Sequence, residues 1–271
     1  MNVEYKIGFI GVGVMADAIL NTILRNSEKI KTSAEEILIY DIDDKKTSEY
    51  KLKDVKVALS VKEIFLKSNI VIICVKPQNY YEILDDISEC KASTVVSIMA
   101  GVKISSLKAK LNKSTGIVRV MPNTPCLIGY GMSVLCFDNV EENSRSLILE
   151  VFNNCGKTLV LDEDKFDAVT SISGSGPAYV YFFIEGLINA GMQGGLTYNE
   201  SKELVIQTLI GASKLVSDSN QKVSELVQNV CSKGGTTIEA ITYFKNNNFQ
   251  DIIVNAVKCC RDKSKILSNK Y

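Results

Sequence analysis

Not one of the 271 residues is a histidine. That absence excludes every imidazole-based catalytic triad, every histidine metal site and the commonest general acid–base of enzymes. Charge of a single sign is lacking as well. Thirty-one basic residues balance 31 acidic ones, and the basic ones are spread thinly. Such a balance points away from a nucleic-acid footprint and from a polybasic membrane patch. No apolar run is long enough to span a bilayer. No charged n-region, apolar h-region and cleavage site precede the first strand. No C-x-x-C pair occurs among the eight cysteines (Cys74, Cys90, Cys126, Cys136, Cys155, Cys231, Cys259 and Cys260). Most lie in apolar runs, where a buried thiol behaves as a small hydrophobe, so reduced structural cysteines outweigh zinc or disulfides and no metal is expected. A soluble, cytoplasmic protein is expected, with 46% hydrophobic residues to build its core.

The first half alternates short β-branched runs with helical patterns. Strands are predicted at Lys6–Ile10, Ile37–Tyr40, Ile70–Val75, Val95–Ile98, Gly116–Val120, Gly131–Cys136 and Thr158–Leu161. Helices are predicted at Met15–Arg25, Val61–Lys67, Tyr80–Ile87, Ile104–Leu111 and Glu141–Cys155. This alternation argues for right-handed βαβ units and a parallel, doubly wound sheet of Rossmann type. From Glu163 onward no strand is discernible. Helices are predicted at Asp167–Ile172, Ala178–Met192, Asn199–Ser217, Thr237–Phe244 and Phe249–Ile266. The expected architecture is therefore α/β: a dinucleotide-binding domain over 1–162, then an all-helical domain over 163–271. Ala178–Met192 is apolar on nearly every face, which a monomer's surface helix would not tolerate. Association into a homodimer or a higher oligomer of dimers is expected.

Five segments carry chemistry. Gly11-Val12-Gly13-Val14-Met15-Ala16 follows a predicted strand and opens a predicted helix, the context in which G-x-G-x-x-A binds a dinucleotide. Asp41, at the end of the next strand, suits the ribose hydroxyls of NAD, although Asp43 and Asp44 beside it keep a plain loop cap open. Lys45 and Lys46 are cations within reach of a 2′-phosphate. Lys76, in Cys74-Val75-Lys76-Pro77, is either a cofactor cation or a solvated strand-end lysine. Arg119-Val120-Met121-Pro122-Asn123-Thr124-Pro125 makes a rigid turn where ligands of such sheets bind, or simply a turn leaving the sheet. Ser173-Gly174-Ser175-Gly176-Pro177 and Gly234-Gly235-Thr236-Thr237 open helices, and supply N–H groups and hydroxyls to a small anion. In the latter segment the threonines are expected to cap the helix and to serve the anion together; an ordinary helix cap is the plainer reading.

These strings (GFIGVGVMA over 8–16, VKPQ over 75–78, RVMPNTP over 119–125, SISGSGPAYVY over 171–181 and SKGGTT over 232–237) occur in the order and spacing of pyrroline-5-carboxylate reductases. The resemblance covers nearly the whole chain. It implies NAD(P)H-dependent reduction of a cyclic imine to L-proline, the last step of proline biosynthesis, and a helical domain that intertwines with a second subunit. Cofactor contacts are implied at Ile10, Gly11, Val12, Gly13, Val14 and Met15, at Cys74, Val75, Lys76 and Pro77, and at Ile98, Met99 and Ala100. Substrate contacts are implied at Gly234, Gly235, Thr236 and Thr237. Thr170 takes the place of a hydroxyl close to the imine nitrogen. Two positions depart from the family pattern: Lys233 replaces a proline, and Val61 replaces an asparagine that some members use to hold a 2′-phosphate. With Asp41, Val61 leads to the expectation that NADH serves at least as well as NADPH.

The residues agree with an imine as substrate. Hydride delivery to a ketone makes an alkoxide and needs a positioned acid. No lysine lies between Lys165 and Lys202, and no histidine exists anywhere. An imine nitrogen collects its proton from solvent, so proximity and a carboxylate anchor suffice. Another imine or hydroxy-acid oxidoreductase of the same scaffold and a non-catalytic dinucleotide sensor remain as alternatives. The missing lysine counts against a hydroxy-acid enzyme, and the second anion loop against a sensor.

Overall fold

The computed structural model describes residues 3–83, 87 and 90–270. Its strands are β1 (Tyr5–Ile10), β2 (Ile37–Tyr40), β3 (Lys56–Val57), β4 (Ser68–Ile73), β5 (Thr94–Ser97), β6 (Gly116–Met121), β7 (Gly131–Asp138) and β8 (Gly156–Val160). They form one sheet in the order β3-β2-β1-β4-β5-β6-β7-β8. The first six positions follow the doubly wound dinucleotide-binding order. Helices α1 (Val14–Arg25), α2 (Ser27–Ile30), α3 (Asp44–Lys51), α4 (Val61–Lys67), α5 (Ile104–Lys108) and α6 (Glu142–Asn154) lie between the strands.

Burial on both faces explains the unbroken apolar runs of the strands. On one face Ile7, Phe9, Ile70, Ile72, Val96 and Val118 pack with Ile19 and Ile23 of α1 and Phe152 of α6. On the other, Ile10, Val71, Ile73, Val95 and Ile117 pack with Ile64 and Phe65 of α4. Alternate residues of one strand thus serve opposite cores.

The structure corrects the expectation of a wholly parallel sheet: β7 runs antiparallel to β6, with Val120 opposite Leu135. A parallel return needs a crossover of roughly a dozen residues or more. Here a 3₁₀ turn at Thr124–Ile128 and Gly129 in the left-handed region (φ 76°) reverse the chain at once. The parallel direction resumes between β7 and β8, where α6 supplies the crossover. Pro77–Ile83 is a 3₁₀ segment, and the rest of the helix expected over Tyr80–Ile87 lies partly outside the described residues.

Beyond β8 come α7 (Phe166–Val169), a π-helical turn at Thr170–Gly174, α8 (Gly176–Gln193), α9 (Tyr198–Asp218), α10 (Val223–Val230), α11 (Thr236–Asn246) and α12 (Phe249–Ser268). The chain forms two compact units: one runs up to Ser175 and takes back the residues from Cys260, the other is Gly176–Cys259. Side chains explain why residues after the last strand stay with the sheet. Arg119 of β6 is paired with Glu163 at 2.9 Å, and Asp167 accepts hydrogen bonds from Ser264 (2.7 Å) and Ser268 (3.1 Å) of α12.

The helical unit has a different economy. Only Ile188 and Ser201 of its residues are buried, while Tyr179, Val180, Tyr181, Phe182 and Phe183 stand exposed in succession. Local signals nevertheless define its helices. Thr197 and Glu200 form a reciprocal capping box at the start of α9, and Phe244 stacks on Phe249 at 4.9 Å between ring centres. Among the described residues no helix is long and apolar enough to cross a membrane.

Candidate functional site

Strand order reverses between β1 and β4, and the loops leaving their carboxyl ends flank the resulting crevice, where such sheets bind ligands. Gly11 has φ +88°, and a Cβ there would lie 3.1 Å from the Cys74 carbonyl carbon, so only glycine suits both the turn and the close approach. A Cβ on Gly13 would meet no protein atom. The space beside it is left for something other than the protein itself. Gly13 is also the N-cap of α1, with no side-chain cap bond, so the first-turn N–H groups face outward for an anion. Ala16 is fully buried against the sheet. These features fit the pyrophosphate of a dinucleotide.

Asp41 is more constrained than a free ribose acceptor. One oxygen accepts from the Val12 N–H (2.7 Å), the other from the Asp43 N–H (2.9 Å), and Lys46 of α3 lies 3.3 Å away. Only 7% of the side chain is exposed. Burial by itself would raise the carboxyl pKa, but the two N–H donors and Lys46 outweigh it and hold it below the usual range. The stabilisation is present above the ordinary aspartate range and is lost as pH falls through the lowered value. Asp41 thus buttresses the glycine loop, and Lys46 sits beside the place where a ribose 2′-substituent is expected.

Further along the same edge, the Cys74 N–H donates to the Ile10 carbonyl (2.8 Å) and the Ile98 N–H to that of Ile73 (3.2 Å), stepping the three loops into line. Cys74 is half-buried against the core, and desolvation pushes its thiol pKa above the usual value. Met99 is buried, with its N–H held by Ser97. The N–H groups of both positions are thus already bonded within this edge. Lys76 is exposed and extends from the strand end. All eight cysteines are free; burial raises the pKa of Cys90 and of Cys155 to about 11, which makes both poor nucleophiles.

The π turn carries Thr170. The Ser175 N–H reaches back five residues to the Thr170 carbonyl at 2.8 Å. The Thr170 hydroxyl donates to the Phe166 carbonyl at 2.8 Å. Its proton is committed, so the oxygen can only accept from a ligand. Phe166 in turn lies beneath the Arg119 guanidinium, 4.7 Å from ring centre to carbon.

Gly234–Thr237 lies in the helical unit. Gly234 has φ +74°, and Gly235 is the N-cap of α11. The threonines do not cap the helix as expected: they are its first two residues, and Gly235 brings no side chain to the task. The first-turn N–H groups are correspondingly free of a side-chain cap, as an anion site requires. Two residues near these loops were not set apart by the sequence. Lys46 was one of two adjacent lysines, and Asn123 was one residue of a proline turn. Only the contacts they make separate them from their neighbours.

A crevice at the switch point, a glycine loop with an open cradle and an uncapped helix start define a dinucleotide-dependent oxidoreductase. Residues 6–101 match the family model described as NADP oxidoreductase coenzyme F420-dependent, and 163–267 match pyrroline-5-carboxylate reductase dimerisation. The chain is 33% identical to the pyrroline-5-carboxylate reductase of Aquifex aeolicus, with 97% of each chain covered. It is 34% identical to the one from Escherichia coli, with 98% of this chain and 99% of that one covered. The crystal structure of the Plasmodium falciparum enzyme with NADP bound superposes with a TM-score of 0.85 at 32% identity, covering 99% of this chain and 100% of that one. The chain belongs to the pyrroline-5-carboxylate reductase family.

Proposed function

We propose that this protein reduces 1-pyrroline-5-carboxylate to L-proline with NADPH or NADH, as a cytoplasmic homodimer or higher oligomer of dimers. Residues 1–162 serve the cofactor, and 163–271 serve the substrate and the subunit contact. The observation that carries the reading is the pairing of a dinucleotide cradle at Gly11–Ala16 with a hydroxyl, Thr170, whose only free capacity is to accept. A bound nicotinamide supplies the hydride to the imine carbon. The chain's own groups then have three tasks. The amides of Gly234–Thr237 and the Thr237 hydroxyl hold the substrate carboxylate. The Thr170 oxygen accepts from the N–H of the imine once solvent has protonated it, which orients the ring. Val12 to Met15 hold the pyrophosphate.

Thr170→Val is expected to lower kcat by about tenfold to a hundredfold, the loss of one charge-assisted hydrogen bond, with KM little changed. Thr237→Ala is expected to raise KM for the imine acid about tenfold with cofactor affinity unchanged. Since Thr237 provides no cap bond, its thermal stability should stay within about 0.5 kcal/mol. Steady-state kinetics with both substrates, and melts of each variant, test the assignment. An unchanged KM in a folded Thr237→Ala enzyme would remove the loop from the site.

Lys46 sets the cofactor ratio. It neutralises Asp41, and without it an uncompensated carboxylate faces any 2′-phosphate. Lys46→Ala is expected to lower kcat/KM for NADPH by about tenfold while NADH is nearly unaffected. Equal losses with both cofactors would show that Lys46 does not discriminate.

A further inference from the structure

Pro177 lies at the second position of α8 and has no N–H. The carbonyl of Ser173, four residues earlier, therefore lacks its regular helical donor. The Asn123 side chain supplies one: Nδ2 donates to that carbonyl at 3.1 Å. The opposite end of the same amide, Oδ1, accepts from the Met132 N–H at 2.8 Å. One side chain thus joins the π turn, the end of β6 and the start of β7. The fit around it is tight, since a Cβ on Gly174 would fall 2.3 Å from the Met121 methyl group. Within the turn, the Thr170 hydroxyl and the Ser175 N–H bond locally.

We propose that Asn123 is a positioning residue of the reductase: its amide clamps the π turn that carries Thr170 onto the carboxyl edge of the sheet, and so sets where the Thr170 oxygen stands. The proposal rests on the role given to Thr170 above. At neutral pH a primary amide serves both partners, because one end donates and the other accepts. Aspartate has the same shape, but its ionised form has no donor and sets an oxygen against the Ser173 carbonyl. Its protonated form regains an O–H donor.

The test is N123D against N123A in the full-length enzyme, with NADPH and pyrroline-5-carboxylate. At about pH 8, N123D should lose about tenfold or more in kcat, with the Kd for NADPH unchanged. As pH is lowered toward about 4, protonation should bring the ratio of N123D to wild-type kcat back up, while that of N123A stays flat. A structural role alone would not give this pH-dependent rescue. A flat ratio for N123D, or a matching loss in NADPH affinity, overturns the proposal. Amide exchange separates this outcome from a failure of Thr170. The Ser175 N–H should exchange faster in N123D at high pH and regain protection on acidification, whatever Thr170 does in catalysis. Unchanged Ser175 exchange overturns the clamp. Altered exchange without a kcat response overturns the positioning role, and Thr170→Val then decides separately whether Thr170 acts at all. If N123D does not fold, wild-type native-state exchange serves: the Met132 and Ser175 amides should open together, and a freely exchanging Ser175 beside a protected Met132 overturns the proposal.

Discussion

Phe182→Asp is expected to dissociate the dimer and abolish reductase activity. Phe182 is 78% exposed in the single chain, within the run Tyr179–Phe183 whose five large side chains are all exposed. A chain that leaves such a helix in water loses the free energy its burial would supply, about 2–3 kcal/mol for an aromatic side chain. The helical unit cannot recover this alone, because only Ile188 and Ser201 are buried there. A second copy can, and residues 163–267 match the family's dimerisation model. In a symmetric dimer each substitution acts twice. Losing about 4–6 kcal/mol raises the dissociation constant by on the order of 10³–10⁴. Sedimentation velocity across a concentration series, read beside activity, checks this. An active monomer, or a dimer of undiminished affinity, would refute it.

Arg119→Met is expected to cost about 3 kcal/mol and to lower Tm by on the order of 6–12 °C. The Arg119 side chain is 6% exposed and that of Glu163 28%. Removing the guanidinium leaves Glu163 half-sheltered without its partner, and strips the cation from the Phe166 ring. Glu163 also accepts from the Ile104 N–H at 2.8 Å, which retains part of its stabilisation and puts the cost at the low end for a broken buried pair. Arg119→Lys should fall between, since an ammonium keeps the charge but not the planar stacking. Differential scanning calorimetry ranks the three proteins. A Tm for Arg119→Met within about 2 °C of wild type would show that the pair contributes little.

Much of the fold was legible because strand and helix periods differ and both sheet faces are buried. Ile37–Tyr40 and Val61–Lys67 were read to the residue. Strand β3 was not, since Lys56–Val57 is extended only through its pairing with Leu38 and Ile39, which no local pattern announces. The direction of β7 escaped for a related reason: apolar runs are alike in either direction, and the connection decides. Helix α10 was missed because Val223–Val230 is short and its N-cap is Lys222, not a Ser, Thr, Asp or Asn; only the Glu225 carboxylate, which accepts from the Lys222 N–H at 3.0 Å, marks its start.

For the site, residue types went a long way. The glycines pointed to a dinucleotide, and the missing histidine and lysine agreed with the imine that the family resemblance implies, because those are properties of composition and spacing. Bond partners are not. Asp41 could be placed at a strand end from sequence, but that its oxygens are taken by Val12 and Asp43 depends on how the first two βα turns meet. Thr170 could be named from the resemblance, but its direction as an acceptor follows from its hydroxyl donating to the Phe166 carbonyl, while Asn123, fifty residues before Ser173, donates to the Ser173 carbonyl of the same turn. Sequence by itself determined the chemistry that these groups carry, since that is covalent. Only tertiary structure decided which lone pairs and protons remain to be used, because hydrogen bonds between distant segments consume the rest.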